Sequence, residues 1–313
     1  MNSTFTLAHL SDPHLPMPHA SATQLLNKRA TGYLNWWRTR YRIHVPEALA
    51  GIVADIKAKK PDHIALTGDL VNVSLPQEFK RAAEWLASFD SPDRITVIPG
   101  NHDVYVHGSW PDGLGLWGAY IASDGHPPAQ GFEVFPTLRR RGDLALVGLS
   151  TGVPKPPLLA TGTLGEAQIA RAEAMLAEAG REGRCRVVMI HHPPLDGESP
   201  YKHLTDRAAF QAMLKRVGCE LVLHGHNHRS EVARLAGPNG PIPVLGVASA
   251  SAAPDSKYGR ARYHLIHIER DVDGIGGGWK LRVEIRALNP RADGCEPDGD
   301  LVFHSPAAGA VVV

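Results

Sequence analysis

Short apolar runs, often β-branched, recur along the chain at 5–10, 63–67, 95–98, 144–149, 187–190, 221–223, 244–247 and 265–268. Each is short, so each predicts a buried β-strand. Between several of them the apolar residues take helical spacing, at 46–59 with Pro46 at its start, 76–89, 166–179 and 206–217. Alternation of this kind predicts helices packed outside a sheet core. The stretch 235–254 is the longest without a charge, but Pro238, Pro241 and Pro243 interrupt it, so it reads as loop and strand and not as a membrane span. From Asn289 onward the periodicity fades into Pro, Gly and Ala, which predicts an arm or tail over 289–313 beyond a main domain of 1–288.

The chain has 313 residues, enough for one sizeable α/β domain. Its 33 Lys and Arg balance 32 Asp and Glu, so the whole molecule carries no electrostatic footprint for nucleic acid, and no stable nucleic-acid partner is expected. Cys185, Cys219 and Cys295 are odd in number and far apart, which speaks against a disulfide framework or a cysteine zinc ribbon. Together with an amino terminus lacking a basic leader and a long apolar stretch, they point to a cytoplasmic protein.

The chemistry concentrates where the predicted strands end. Asp12 and His14 follow the first strand, Asp69 the second, and Asn101, His102 and Asp103 the third. His191 and His192 follow the run 187–190, and His224, His226 and His228 close the run 221–223. Taken singly, each motif has an ordinary explanation as a capped turn or a solvated loop. Taken together, five clusters of metal-competent side chains at successive strand ends fall where open α/β sheets place their ligand crevices.

In this order Asp-x-His, Gly-Asp-x-x-Asn, Gly-Asn-His-Asp, His and Gly-His-x-His resemble the calcineurin-like metallophosphoesterases, over most of the span from Asp12 to His228. The His191-His192-Pro193-Pro194 form is most similar to that of bacterial cyclic-nucleotide and glycerophosphodiester phosphodiesterases. The resemblance implies a four-layer α/β/β/α sandwich with two central mixed sheets. It implies one ion held by Asp12, His14, Asp69 and His228, and a second held by Asp69, Asn101, His191 and His226, with Asp69 shared. Imidazole, carboxylate and amide donors suit Mn, Fe, Zn or Co better than Ca.

Two such ions with Asp12, Asp69 and a bridging hydroxide leave about one net positive charge, which complements a phosphodiester monoanion. Attack by the activated hydroxide is the implied chemistry. The resemblance further implies that His102 contacts the phosphate or the leaving oxygen, with Asp103 orienting it and favouring its imidazolium, and that Asn101 and His192 lie toward substrate. Asn72 departs from the pattern, standing where many relatives carry an acid.

The segment from about 15 to 45 has no acidic residue, and it interleaves Lys28, Arg29, Arg38, Arg40 and Arg42 with Tyr33, Trp36, Trp37 and Tyr41. Leu34, Trp37 and Tyr41 share one helical face. That face either packs on the core or forms a lid, and a peripheral contact with lipid through 28–42 is a third reading. The expected substrate is a small phosphate ester, with a diester of cyclic-nucleotide or glycerophosphodiester type first. An amphiphilic phospholipid or nucleotide-lipid pyrophosphate is the alternative, and a non-catalytic metal-binding scaffold a third. A homo-oligomer is open.

Overall fold

The computed structural model describes residues 4–108, 110, 112–272 and 277–306. Among these, twelve strands form two six-stranded sheets. The first three strands, β1 (Phe5–Leu10), β2 (His63–Leu66) and β3 (Ile95–Val97), run parallel at one side of the first sheet. The second sheet holds β4 (Thr137–Arg141), β5 (Leu144–Gly148), β6 (Cys185–Met189), β7 (Leu221–His224), β8 (Glu231–Gly237) and β9 (Gly240–Gly246). The chain then returns to the first sheet through β10 (Arg262–Arg270), β11 (Trp279–Leu288) and β12 (Cys295–Ser305), which continue antiparallel from β1. In the second sheet β5, β6, β7 and β9 are parallel, with antiparallel β4 and β8 at the edges. Both sheets are therefore mixed.

The strand side chains explain the layering. Successive side chains point to opposite faces, so a strand buried on both must be apolar throughout. In β5 to β7 one alternate set, Leu144, Leu146, Val187, Met189, Leu221 and Leu223, joins the large core shared with the first sheet. The other set, Ala145, Val147, Val188 and Val222, packs beneath the helices Glu166–Arg181 and Arg207–Val217 through Leu176, Phe210 and Leu214. The helices Pro46–Lys59 and Pro76–Phe89, each opening with Pro, contribute Ile52, Ile56, Phe79 and Leu86 to the large core. The outcome is the expected α/β/β/α sandwich.

The segment expected as an arm differs in part. Residues 295–305 pair with β11 along its length and form the edge of the first sheet, with a register shift at Ile285/Arg286. Gly299 and Pro297 hide this strand from a periodicity search, while a β11 neighbour offers it a free edge to pair with. Residues 307–313 of the expected tail lie outside the described residues. The expected insert at 15–45 is helical from Arg29 to Ile43 and widens to a π-helical turn over Trp36–Arg40. No described helix is long and apolar enough to cross a membrane, and all three cysteines are free.

One ion pair is nearly sealed inside the second sheet. Arg186 on β6 meets Glu220 with Nη2 to Oε1 at 2.7 Å and Nε to Oε2 at 3.0 Å, and the Arg186 backbone N–H donates to the same carboxylate at 2.6 Å. Both side chains are 3% exposed. Removing one partner strands a buried charge, whereas removing both does not. Glu220→Ala should therefore cost about 3–5 kcal/mol in denaturant unfolding. Arg186→Met combined with Glu220→Leu should recover most of that loss, and a double variant as unstable as the single one would contradict this reading.

Candidate metal centre

The carboxyl ends of the parallel strands in both sheets open onto one cleft. Asp12 and His14 lie beyond β1, Asp69 beyond β2, Asn101 and His102 beyond β3, His191 beyond β6, and His226 and His228 beyond β7. Five of these residues, Asp12, His14, Asp69, His226 and His228, have φ between 37° and 68°. Left-handed backbone costs a non-glycine residue free energy, and such outliers gather where a site fixes side-chain direction. Two glycines make room for the carboxylates. A Cβ on Gly100 would run into the Asp69 carboxylate, and one on Gly225 into Ser11 and Asp12.

Hydrogen bonds to backbone carbonyls aim the rings. His191 Nδ1 lies 2.7 Å from the carbonyl of Thr67 in the opposite sheet, and His14 Nδ1 lies 3.2 Å from that of Val71. A carbonyl can only accept, so both rings carry the Nδ1 proton and aim Nε2 into the cleft. Those atoms face other acceptors. His14 Nε2 is 3.3 Å from His228 Nε2, His228 Nε2 is 3.2 Å from Asp12 Oδ1, and His191 Nε2 is 3.3 Å from Asp69 Oδ2 and 3.2 Å from Asn101 Oδ1. Asp12 Oδ1 and His226 Nε2 are buried without a hydrogen-bond partner.

Ring nitrogens and carboxylate and amide oxygens converging at these distances suit a cation. Four donors about 2.1 Å from one ion stand roughly 3.4 Å apart in a tetrahedron, close to the spacings seen. The donors form two groups, Asp12, His14, Asp69 and His228, and Asp69, His191 and His226, and both contain Asp69. Asn101 joins the second group, its Oδ1 lying 2.8 Å from His226 Nδ1. All seven expected ligands are thus brought together, and the residues fit a pair of divalent ions.

The structure also supplies residues that sequence reasoning passed over. His44 lies against His14, ring centroids 4.4 Å apart, and belongs to a third donor group with His14 and His228. Its Nδ1 is 2.9 Å from Ser251 Oγ. Its only sequence signal is a histidine closing an acid-free segment. Arg40, which the sequence offered only as one of five basic residues, reaches the ring of His102, Nη1 to Nε2 at 2.8 Å. Asn72, the departure from the family pattern, donates Nδ2–H to the Leu15 carbonyl at 2.8 Å and ties the loop beyond β1 to that beyond β2.

Three expectations are corrected. Asp103 does not touch the His102 ring: its carboxylate accepts the backbone N–H groups of Asp69, Leu70, Val71 and Gly100 at 2.7–3.0 Å. Four loop amides had to be satisfied, and this buried acid satisfies them. His102 is consequently no imidazolium. Burial, then the Arg40 guanidinium, pull its pKa down to about 3. Its Nδ1 sits against the Asn72 carbonyl, leaving Nε2 to accept from Arg40. His192 is fully buried, held by Thr151 Oγ1 at 2.7 Å and the Ala160 carbonyl at 2.9 Å. It packs against His226, ring centroids 4.2 Å apart, and does not face substrate.

The segment 15–45 departs from the core-packed reading. Arg29 bonds the carbonyls of Val73 and Ser74, and Arg40 points to His102, while Trp37 is 63% exposed with Leu34 and Tyr41 beside it on the outer face. The apolar face therefore does not pack on the core; loop carbonyls and a ring nitrogen draw the two arginines inward instead.

The calcineurin-like phosphoesterase model matches residues 5–230, and the chain belongs to that family. A glycerophosphodiester phosphodiesterase of Enterobacter lignolyticus is 26% identical over 60% of this chain, and the match spans 57% of that relative's length. Among solved structures, a dimetal phosphatase from Danio rerio aligns with TM-score 0.61 at 11% identity, covering 94% of this chain and 98% of its own. A purple acid phosphatase from yellow lupin aligns with TM-score 0.60 at 12% identity, over 96% of this chain and 54% of its own. These structural likenesses concern the fold.

Electrostatics at the centre give a prediction for ion uptake. Burial would lower the His191 pKa, but the Asp69 carboxylate and, more weakly, Asp12 outweigh it and raise it to about 9. The same contact holds Asp69 well below the usual carboxylate range against its burial. In the ion-free protein His191 is thus protonated at neutral pH, and a cation must displace that proton. Apparent affinity for Mn²⁺ should rise by up to about tenfold per pH unit from pH 7 and level off near 9, by calorimetry with one proton released. Affinity independent of pH over that range would contradict the assignment.

Proposed function

We propose that the protein is a binuclear metal-dependent phosphodiesterase acting on a small soluble diester, of glycerophosphodiester or cyclic-nucleotide type. The observation that carries this reading is the pair of donor groups sharing Asp69 at the floor of a cleft of about 360 Å³. Asp12, His14, Asp69 and His228 would hold one ion, and Asp69, Asn101, His191 and His226 the other. When bound, such ions supply Lewis acidity toward the phosphate and a water acidic enough to attack it near neutral pH. Mn, Fe, Zn and Co all suit these donors.

The chain's own residues do the rest. The Asp69 carboxylate is fixed by the His102 backbone N–H at 2.7 Å, so the second oxygen is left for the centre. His44 and the two serines behind it, Ser249 and Ser251, keep the ring of His14 from turning, since Ser249 also bonds the Asp12 carbonyl at 2.6 Å. His102 and Arg40 face the cleft together, and the neutral ring, accepting from Arg40 at Nε2, holds the guanidinium so that its remaining N–H groups can meet the anionic phosphate and the departing oxygen. The low pKa of His102 makes the pair an electrostatic clamp in the free protein and not a reservoir of an imidazolium proton.

Support for a diester comes from the Enterobacter relative, and the cation-lined, acid-poor cleft supports an anionic substrate. A second reading, an amphiphilic phosphate ester, has its own observation. Leu26 is 83% exposed and Leu158 90% exposed, with Trp37 between them in chain order, on segments that flank the cleft. Three free cysteines, two of them buried, support a reducing cytoplasmic location.

The test is turnover of Mn²⁺-loaded protein on bis(p-nitrophenyl) phosphate, p-nitrophenyl phosphate, glycerophosphocholine and a lysophospholipid with and without detergent. Turnover of the soluble diesters above the monoester supports the first reading, and turnover of the detergent-dispersed lipid alone supports the second. His102→Ala should lower kcat about 10²–10³-fold while bound Mn²⁺ is unchanged by atomic emission. Full activity of that variant would remove His102 from the clamp.

A further inference from the structure

The cleft over the metal centre continues beyond what the diester reading needs. A second cavity of about 330 Å³ shares Arg40, Asn101 and His102 with the first and extends past Trp36 and Tyr105 to Lys28. A third, of about 500 Å³, shares Lys28 and Tyr105 with the second and ends against Lys155 and a wall of Pro154, Pro156 and Pro157. The chain as a whole is nearly neutral, yet Asp69 is the only carboxylate lining these three cavities among the described residues. Bound cations would offset Asp69, so the outer two cavities are cationic with no acid to balance them.

The route between the centre and the far end is built from stacked groups. The rings of His102 and Tyr105 stack nearly parallel, centroids 5.7 Å apart with an interplanar angle of 7°. Lys28 Nζ lies 4.0 Å from the Tyr105 ring centroid. Gly32 lets the lid helix press onto that tyrosine, since a Cβ there would stand 2.7 Å from the Tyr105 hydroxyl and from Val73. Burial already lowers the Lys28 pKa, and no ion pair with a carboxylate relieves it among the described residues. Lys155 opposite is held by Thr163 Oγ1 at 3.3 Å, again without a carboxylate. Two ammonium groups facing one cavity that no carboxylate lines set up a potential that favours an anion between them.

From these observations we infer that Lys28 and Lys155 form a distal anion subsite, and that the substrate is a diester whose leaving alcohol carries a second phosphate. The inference rests on the diester reading and adds to it the charge of the leaving group. In the bound substrate the reacting phosphate lies at the centre, the alcohol passes along His102 and Tyr105, and the second phosphate lies between the two lysines. The cleft then selects against diesters whose head group is neutral or cationic, because neither lysine gains a partner from them.

The test compares glycerophosphoinositol with glycerophosphoinositol 4-phosphate, which differ by one phosphate. With Mn²⁺-loaded protein, kcat/KM should favour the phosphorylated substrate by about tenfold or more. Lys28→Met and Lys155→Met keep the aliphatic stems and should bring that ratio toward one, while Lys28→Arg should preserve it. Calorimetry on the metal-free protein should show the same preference in binding, and the same loss in the two Met variants. Equal kcat/KM for both substrates, together with normal turnover of bis(p-nitrophenyl) phosphate, would overturn the subsite and leave the diester reading standing. Absent turnover of every diester would overturn that reading instead, and the binding preference of the metal-free protein would then decide the subsite alone.

Discussion

The whole arrangement depends on one buried carboxylate at the seam between two sheets. Asp69 offers one oxygen to the His102 backbone N–H and the other toward His191 at 3.3 Å and His14 at 3.9 Å. A charge so placed is tolerable only among compensating groups, and the fold brings them from both sheets: rings from beyond β6 and β7, amides from beyond β3. The left-handed backbone at five donors, the glycines at 100 and 225 and the acid of Asp103 locked onto four loop amides all serve to fix those groups. Much of the local strain and polar burial around the cleft thus traces to holding these donors in place.

The helical segment Arg29 to Ile43 follows from the same economy of polar groups. Its two inward arginines answer carbonyls and a ring nitrogen left open near the centre, and its aromatic face is left to solvent as a result. The π-helical turn over Trp36–Arg40 shifts the helix phase just where Arg40 must point inward. Sequence periodicity alone treats that segment as an ordinary amphipathic helix and leaves open whether its apolar face packs on the core.

Much of the architecture was legible because the buried strands of parallel sheets read as continuous apolar runs, and the ligand clusters follow those runs directly. The less visible strands have physical reasons to be so. Thr137–Arg141 carries three arginines at a sheet edge, Glu231–Gly237 alternates at the opposite edge, and Cys295–Ser305 contains Pro and Gly tolerated only beside an edge. In the site, residue type and strand-end position located the metal-competent donors. They could not reveal that Asp103 is consumed by backbone amides, that His192 is sealed behind His226, or that Arg40 takes the place beside His102. Those facts depend on which polar groups are left unsatisfied once the loops fold, and the linear pattern does not record that.

The proposed centre holds two cations that share Asp69. Anomalous diffraction from crystals of the Mn²⁺-loaded protein measures this directly. Two peaks are predicted, one among Asp12, His14 and His228 and the other among Asn101, His191 and His226, with Asp69 in contact with both. A single peak, or peaks away from Asp69, would contradict it.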